Sequence, residues 1–159
     1  MDFEEVYNRY SKDVFKFCLS LCRNHATADD ITSETFLKAI KAGDRFDGKC
    51  SIKVWLFQIA KNTYYDYLRK HKRITELPDE MSSESDFERE FLDKAEALRL
   101  HKLLHQLDNL YKEVFSLRIF SELSYAEIGE IFAKSESWAR VTFHRAKLKL
   151  REAEHSDKL

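Results

Sequence analysis

Residues that break helices are scarce in this sequence, and this scarcity restricts its fold more than any other feature. The 159 residues include three glycines and one proline, Pro78. Sheet proteins need tight turns between strands, and such turns are made chiefly by Gly, Pro, Asn and Asp. The sequence contains no Asn-Gly pair and no sustained alternation of apolar and polar residues. We therefore expect an all-α protein.

Apolar residues recur at helical spacing along most of the chain, and this periodicity predicts a succession of helices. They are expected over residues 2–23, 27–42, 51–71, 90–107, 109–121, 124–132 and 135–151. Capping residues stand at several of the starts, namely Thr27 with Asp30, Ser51, and Ser124 with Glu127. Gly43 is placed to end the second helix, and residues 44–50 then form a polar loop.

Helical periodicity fails between residues 73 and 88. Pro78, several serines and many acids in this stretch predict a flexible linker. We therefore expect two small helical domains, residues 1–73 and 90–155, joined by an acidic linker at 74–89.

The charges are unevenly distributed, although the net charge is only −1. Basic residues dominate 61–73 and 134–151, and each of these stretches contains a single acid. Acids dominate residues 79–96. Because Lys and Arg neutralise nucleic-acid phosphates and acids repel them, the pattern predicts two DNA-contacting modules separated by a segment that avoids DNA.

The third predicted helix is apolar on two sides. One side is expected to be core and consists of Ile52, Trp55, Leu56, Ile59, Ala60, Thr63 and Tyr67. The far side carries Val54, Phe57, Tyr64 and Leu68. What remains is a polar strip formed by Gln58, Lys61, Asn62, Tyr65 and Arg69. A helix that is apolar on two sides is buried on much of its circumference, so the polar strip is a candidate ligand site.

The last two predicted helices follow the helix-turn-helix pattern, in which a short helix and a tight turn precede a longer basic helix. The inner face of the longer helix is expected to consist of Ala139, Phe143, Ala146 and Leu150. Its outer face presents Ser137, Arg140, His144, Lys147 and Arg151, with Arg145 beside them. In this layout the second helix enters the major groove of DNA.

Metal binding and catalysis are not indicated. Cys18 and Cys22 are near His25, but structural zinc sites usually contain Cys-x-x-Cys pairs and four ligands, so we expect core packing and no metal. The histidines form no catalytic signature, and no phosphate-binding glycine loop is present. We expect no enzymatic activity, no cofactor and no small-molecule substrate.

The sequence also indicates a cytoplasmic protein without direct membrane insertion. No apolar run approaches the roughly 20 residues that span a bilayer. The N-terminal residues are acidic, unlike those of a signal peptide. An odd number of cysteines, three, suits a reducing compartment better than a disulfide framework.

Segments in both halves resemble the sigma-70 family of RNA polymerase sigma factors, in the order in which that family has them. ADDITSETFLKAIKA at 28–42 and RFDGKCSIKVWLFQIAKNTYYDYLRK at 45–70 resemble sigma domain two. EVFSLRIFSELSY at 113–125, LSYAEIGEIF at 123–132 and HRAKLKL at 144–150 resemble sigma domain four. The short linker leaves no room for a third domain, as in the extracytoplasmic-function (ECF) group.

The resemblance implies a transcription initiation factor that binds core RNA polymerase and directs it to specific promoters. The positions that match the family's polymerase-binding helix are Asp30, Ser33, Glu34, Phe36 and Ile40. They form an acidic and apolar set suited to a basic coiled coil of the polymerase. Ser33 stands where the family usually has glutamine.

The resemblance also assigns promoter contacts. The polar strip would read the minus-ten element as single-stranded DNA, with Asn62 matching the family's base-contacting asparagine and the loop 45–51 forming a pocket for a flipped base. The positions for the minus-thirty-five element are Arg140, His144, Arg145 and Lys147, with Arg118 placed for a phosphate contact. Trp138-Ala139-Arg140 replaces the usual Thr-Val-Arg, and the glycine common in the turn is missing.

An anti-sigma factor, soluble or membrane-bound, is the further partner that the resemblance implies. Acids of the linker, namely Asp79, Glu80, Glu84 and Asp86, fit a polymerase channel built for polyanions.

Two alternatives remain open. One is a stand-alone helix-turn-helix regulator that binds duplex DNA without polymerase. The other is a sigma-like protein that binds polymerase but does not melt promoters.

Overall fold

The structure is a computed structural model that describes residues 2–71 and 91–157. The predicted linker at 74–89 and its acids lie outside the described residues. The described chain forms the helices α1 (Phe3–Cys22), α2 (His25–Ala42), α3 (Ile52–Lys70), α4 (Phe91–Leu104), α5 (Asn109–Ile119), α6 (Tyr125–Ile131) and α7 (Glu136–Asp157), with a 3-10 turn at Gly43–Arg45. The all-α prediction is confirmed.

Capping explains where several helices begin. The Ser51 hydroxyl accepts the Val54 N–H at 3.1 Å, and Ser124 and Glu127 form the predicted reciprocal box. The start predicted for α2 is wrong, because the Asn24 side chain accepts the Thr27 N–H at 2.9 Å and the helix begins at His25.

The last helix, α7, continues to Asp157 instead of ending near Arg151. Leu150 is buried near its end, and Ala153 packs against the core one turn later. An ion pair of 2.9 Å between Arg99 of α4 and Glu154 of α7 fixes the same region. These contacts explain the additional turns, which the weaker periodicity after Arg151 does not indicate.

The first three helices pack together as the first unit, residues 2–71. Phe17 of α1 and Phe57 of α3 are both fully buried and meet edge to face, with ring centroids 5.7 Å apart. The predicted core side of α3 is confirmed in part, because Leu56, Ala60 and Thr63 are buried whereas Trp55, Ile59 and Tyr67 are only partly buried. Val54, Phe57 and Tyr64 of the far side are buried as well. A helix that is apolar on two sides does not reveal which side its neighbours will cover.

In the second unit, residues 91–157, α5, α6 and α7 pack around an aromatic pair of their own. Phe115 and Phe143 stack with ring centroids 5.6 Å apart. The inner face predicted for α7 is confirmed, because Ala139, Phe143, Ala146 and Leu150 are all buried. Each unit therefore has its own aromatic cluster.

The two units contact each other along α1, α3, α5 and α6. The Ser121 hydroxyl, which follows α5, donates a hydrogen bond of 2.9 Å to the Asp13 carbonyl of α1. Lys53 of α3 and Glu127 of α6 form an ion pair of 3.7 Å. The fold therefore places α3 directly against the helix-turn-helix unit.

Candidate polymerase and nucleic-acid interfaces

The exposed side of α2 combines carboxylates with apolar side chains. Asp30, Ser33 and Glu34 are exposed, and Ile40 is 52% exposed. Phe36 is only 5% exposed and packs edge to face on Tyr7, so in this structure it belongs to the core.

Leu37 is the apolar residue that the sequence analysis missed on this side of α2. It is 56% exposed and lies on the same face as Asp30 and Glu34, because residues three and four apart are neighbours on a helix. The three-residue spacing between Glu34 and Leu37 was the sequence signal that could have identified Leu37 as part of this face. The accessible face of α2 is therefore formed by Asp30, Ser33, Glu34, Leu37 and Ile40.

The polar strip on α3 is divided between exposed and covered residues. Asn62 and Arg69 are exposed, and Arg69 is paired with Asp66, which also binds Lys38 at 3.3 Å. Gln58, Lys61 and Tyr65 are half-buried. The structure thus leaves only part of the predicted ligand site open.

The covered residues of the polar strip all contact the second unit. The Gln58 amide donates to the Glu130 carbonyl at 3.2 Å. The Lys61 ammonium lies 4.5 Å from the centroid of the Phe132 ring. The Tyr65 hydroxyl donates to the Glu113 carboxylate at 2.6 Å. One side of the polar strip is therefore occupied by α5, α6 and the turn that follows α6.

The carboxyl group of Glu113 is wholly buried at this contact, which is uncommon for a glutamate. Burial raises its pKa to about 7, although the Tyr65 hydroxyl and the charges of Lys61 and Lys112 act in the opposite direction. One carboxylate oxygen, Oε2, has no hydrogen-bond partner within the described parts of the chain. Burial and the same carboxylate raise the pKa of Tyr65.

The loop before α3 is compact at its base and exposed at its tip. The Phe46 ring packs on Trp55 with centroids 4.9 Å apart. Asp47, Gly48 and Lys49 are exposed, and Gly48 has a φ of +76°, which favours glycine. The loop therefore presents its tip beside the start of α3, where the sequence analysis placed a base pocket.

The outer face of α7 presents the predicted basic residues. Arg140, His144 and Arg145 are exposed, whereas Lys147 is half-buried with its ammonium 5.7 Å from the Phe143 ring centroid. Arg140 also pairs with Glu136 at 3.3 Å. The face is basic and accessible, as a helix that enters a major groove must be.

Two guanidinium groups converge on Tyr125, a residue that the sequence analysis passed over. The Arg118 guanidinium lies 4.1 Å from the ring centroid and donates to the Leu123 carbonyl at 3.0 Å. The Arg140 guanidinium lies 5.1 Å from the same centroid. Tyr125 therefore links Arg118 to the start of α7. The helical periodicity of the sequence does not predict this link.

The cysteines lie in the core or pack against it. Cys18 is fully buried, which confirms its predicted core packing, and burial raises its pKa to about 12. Within residues 2–71 and 91–157, no group of three or more His, Cys, Asp or Glu side chains is arranged to hold a metal. None of the described helices has the length and apolar character needed to cross a membrane.

Comparison with known proteins matches both units to one family. Residues 6–74 match the family model for Sigma-70 region 2, and residues 97–150 match that for Sigma-70, region 4. The ECF RNA polymerase sigma factor SigM of Bacillus subtilis is 31% identical over 155 residues, covering 95% of this chain and 94% of SigM. The RNA polymerase sigma factor YlaC of the same organism is 32% identical, covering 93% of this chain and 89% of YlaC.

Solved structures show the same fold. CnrH, in complex with the cytosolic domain of CnrY, is similar with a TM-score of 0.76 and 22% identity over 98% of this chain and 88% of that chain. The sigma factor RpoE of Bartonella quintana, in complex with the anti-sigma factor NepR, has a TM-score of 0.72 and 24% identity over 98% of both chains. The chain thus belongs to the ECF RNA polymerase sigma factors of the sigma-70 family and is a transcription initiation factor.

Proposed function

We propose that the exposed face of α2 binds core RNA polymerase and that the two units then read the two promoter elements. The observation that carries this proposal is the accessible combination of Asp30, Glu34, Leu37 and Ile40. Two carboxylates followed along the helix by two apolar side chains suit a partner surface that has a basic part beside an apolar one. Residues 1–73 would act at the minus-ten element and residues 90–155 at the minus-thirty-five element, with 74–89 as the linker.

The polar strip of α3 is the proposed site for the minus-ten strand. Asn62 is exposed and offers an amide to a base edge, while Tyr65 and Arg69 supply a stacking ring and a cation. Single-stranded DNA is held by such stacking and charge contacts. Gln58 and Lys61 extend the polar strip, and the exposed tip of the loop 45–51 is the proposed pocket for an extruded base.

The outer face of α7 is the proposed reader of the minus-thirty-five element. Arg140 is near the helix N-terminus, where a cation opposes the helix dipole, and an arginine at that position is well placed for a guanine or a phosphate. His144, Arg145 and Lys147 would extend the contact, and Arg118 would remain a phosphate contact at the edge of the unit.

Further partners and the setting of the protein follow from its relatives. The solved relatives CnrH and RpoE are each bound to a protein, CnrY or the anti-sigma factor NepR. We infer that this chain also has an anti-sigma partner, that it works in the cytoplasm, and that it catalyses no reaction itself.

Run-off transcription with purified core polymerase tests the proposal. We expect discrete transcripts from a pool of bacterial promoter fragments that depend on the protein. Glu34→Lys should weaken polymerase binding about tenfold or more, because a cation then faces a basic surface. The matched control is Glu152→Lys, which makes the same charge change at an exposed position of α7. Asn62→Ala should bind polymerase normally and lose promoter opening.

Other outcomes would support the alternatives. If the protein shifted duplex DNA without polymerase and gave no transcripts, it would be a stand-alone regulator. If it bound polymerase but Asn62→Ala changed nothing, the polar strip would not be the minus-ten site.

Tyr125 should affect the minus-thirty-five contact through the two arginines. Tyr125→Leu removes the ring that Arg118 and Arg140 share, and each cation–π contact at an exposed site is worth about 0.5–1 kcal/mol. We expect holoenzyme to bind a minus-thirty-five duplex about three- to tenfold more weakly, as measured by fluorescence anisotropy. Tyr125→Phe keeps the ring and should bind like wild type. Equal losses in the two variants would show that the ring does not position the arginines.

A further inference from the structure

Two large apolar side chains are exposed on the outer face of α7, among the basic residues that are proposed to meet DNA. Val141 is 47% exposed and Leu148 is 56% exposed. Val141 lies in the second turn of the helix. Residues three and four apart are neighbours on a helix, so exposed Ser137 stands one turn before it and exposed His144 and Arg145 one turn after it. Val141 is therefore an apolar group near the middle of a polar face.

An exposed valine does little to stabilise the free chain. β-branched residues fit a helix less well than alanine, and a side chain left in water gains nothing from burial. Long basic side chains often cover nearby apolar surface with their stems. Here the Arg140 guanidinium lies 3.3 Å from the Glu136 carboxylate and 5.1 Å from the centroid of the Tyr125 ring. With Arg140 held by these contacts, nearly half of Val141 stays open to a partner.

The surroundings of Val141 indicate what that partner is. In a helix-turn-helix unit, the first turns of the second helix contact base edges in the major groove. The basic residues on this face suit the phosphates of DNA. Within the groove the base pairs present hydrogen-bond donors and acceptors, and the apolar group among them is the C5-methyl group of thymine. The valine side chain neither donates nor accepts a hydrogen bond, so it matches that methyl group.

We infer that Val141 contacts the C5-methyl group of a thymine in the minus-thirty-five element, so that the chain prefers thymine at one position of that element. The inference rests on the proposed role of the outer face of α7. The valine side chain is stiff at χ1, so the contact costs little rotamer freedom. At another base, valine would displace water from a donor or acceptor and offer no hydrogen bond in exchange. The contact therefore favours thymine and disfavours the other bases.

Replacement of thymine by uracil tests the inference, because uracil lacks only the methyl group. A minus-thirty-five duplex is taken from a promoter that the holoenzyme transcribes, and each thymine of its two strands is changed in turn to deoxyuridine. Binding of the holoenzyme is measured by fluorescence anisotropy. The variant is Val141→Ser, since serine and valine have similar helix propensities. Leu148→Ser is the matched control, at an exposed apolar residue about 10 Å further along the axis of α7.

We expect wild-type holoenzyme to bind about three- to fivefold more weakly when one particular thymine becomes uracil, as the loss of one buried methyl group predicts. Val141→Ser should bind the original duplex about three- to tenfold more weakly, and uracil at that same position should then have no further effect. Leu148→Ser should bind like wild type and keep the uracil effect. The inference would be wrong if no thymine showed the effect, or if Val141→Ser retained it.

Arg145→Ala separates a failure of this inference from a failure of the proposed function. Loss of a cation from the outer face should weaken binding to the thymine and uracil duplexes by the same factor. If Arg145→Ala weakened binding while Val141→Ser kept the uracil effect, the outer face would still bind the minus-thirty-five element and only the valine contact would be wrong. If neither variant changed binding, the proposed minus-thirty-five site would be wrong and the inference would fail with it.

Discussion

Gly129→Ala is expected to destabilise the second unit and to abolish recognition of the minus-thirty-five element. A Cβ atom at this position would lie 2.7 Å from the Ser135 carbonyl oxygen and 2.9 Å from that of Lys134. These are backbone atoms in the turn between α6 and α7, and the Lys134 N–H is bonded to the Gly129 carbonyl at 2.8 Å. Neither α6 nor the backbone of the turn can shift without strain. We therefore expect the free energy of unfolding to fall by about 1–3 kcal/mol and α7 to be displaced.

Thermal unfolding and holoenzyme binding to a minus-thirty-five duplex measure both effects. Ala133→Gly, in the same turn, is the matched control. Ala133 has a φ of 57°, where the glycine common in the family would fit without strain. This change should keep binding and leave stability equal or raise it by up to about 1 kcal/mol. An unfolding temperature of Gly129→Ala equal to that of wild type would show that the turn adjusts at little cost.

Phe57→Ala is expected to have the larger effect on stability. Phe57 is fully buried and meets Phe17 edge to face at the centre of the first unit. Truncation of a buried phenylalanine to alanine costs about 3–5 kcal/mol. Since small domains are stable by only about 5–15 kcal/mol, much of the first unit should unfold at modest urea concentrations.

Urea unfolding followed by circular dichroism measures this loss, and polymerase binding should fall with it. Phe46→Ala is the control, because Phe46 is only half-buried and packs on Trp55 beside the loop. We expect a smaller loss of stability for this variant. Equal losses in the two variants would contradict a core centred on Phe17 and Phe57.

Local signals in the sequence were enough to predict much of the fold. The Ser51 cap, the Ser124–Glu127 box and the inner face of α7 are all confirmed, because each depends only on residues of one helix and its cap. The start of α2 was wrong because two capping residues, Asn24 and Thr27, compete and only the backbone decides between them. The core side predicted for α3 was right for Leu56, Ala60 and Thr63 but missed Val54, Phe57 and Tyr64, because both sides of this helix are apolar.

Contacts between distant residues could not be predicted from periodicity. Glu113 reads as an ordinary polar residue of α5, yet it binds Tyr65 across the two units. Tyr125 follows a helix cap and gives no sign that two arginines will converge on it. The exposed position of Leu37 could have been predicted from the sequence, since its three-residue spacing from Glu34 places it on the same face of α2. The roles proposed for the site residues remain predictions for the experiments above.

The aromatic pair at the centre of the first unit also has a consequence for synthesis of the protein on the ribosome. Phe17 and Phe57 both lie within residues 2–71, so this aromatic pair can form before the later chain emerges. Domains fold as units, and the N-terminal one folds first during translation. Glu113, Glu130 and Phe132 emerge later. A nascent chain therefore displays Gln58, Lys61 and Tyr65 uncovered until translation has passed α6, and the covering contacts form only on the finished protein.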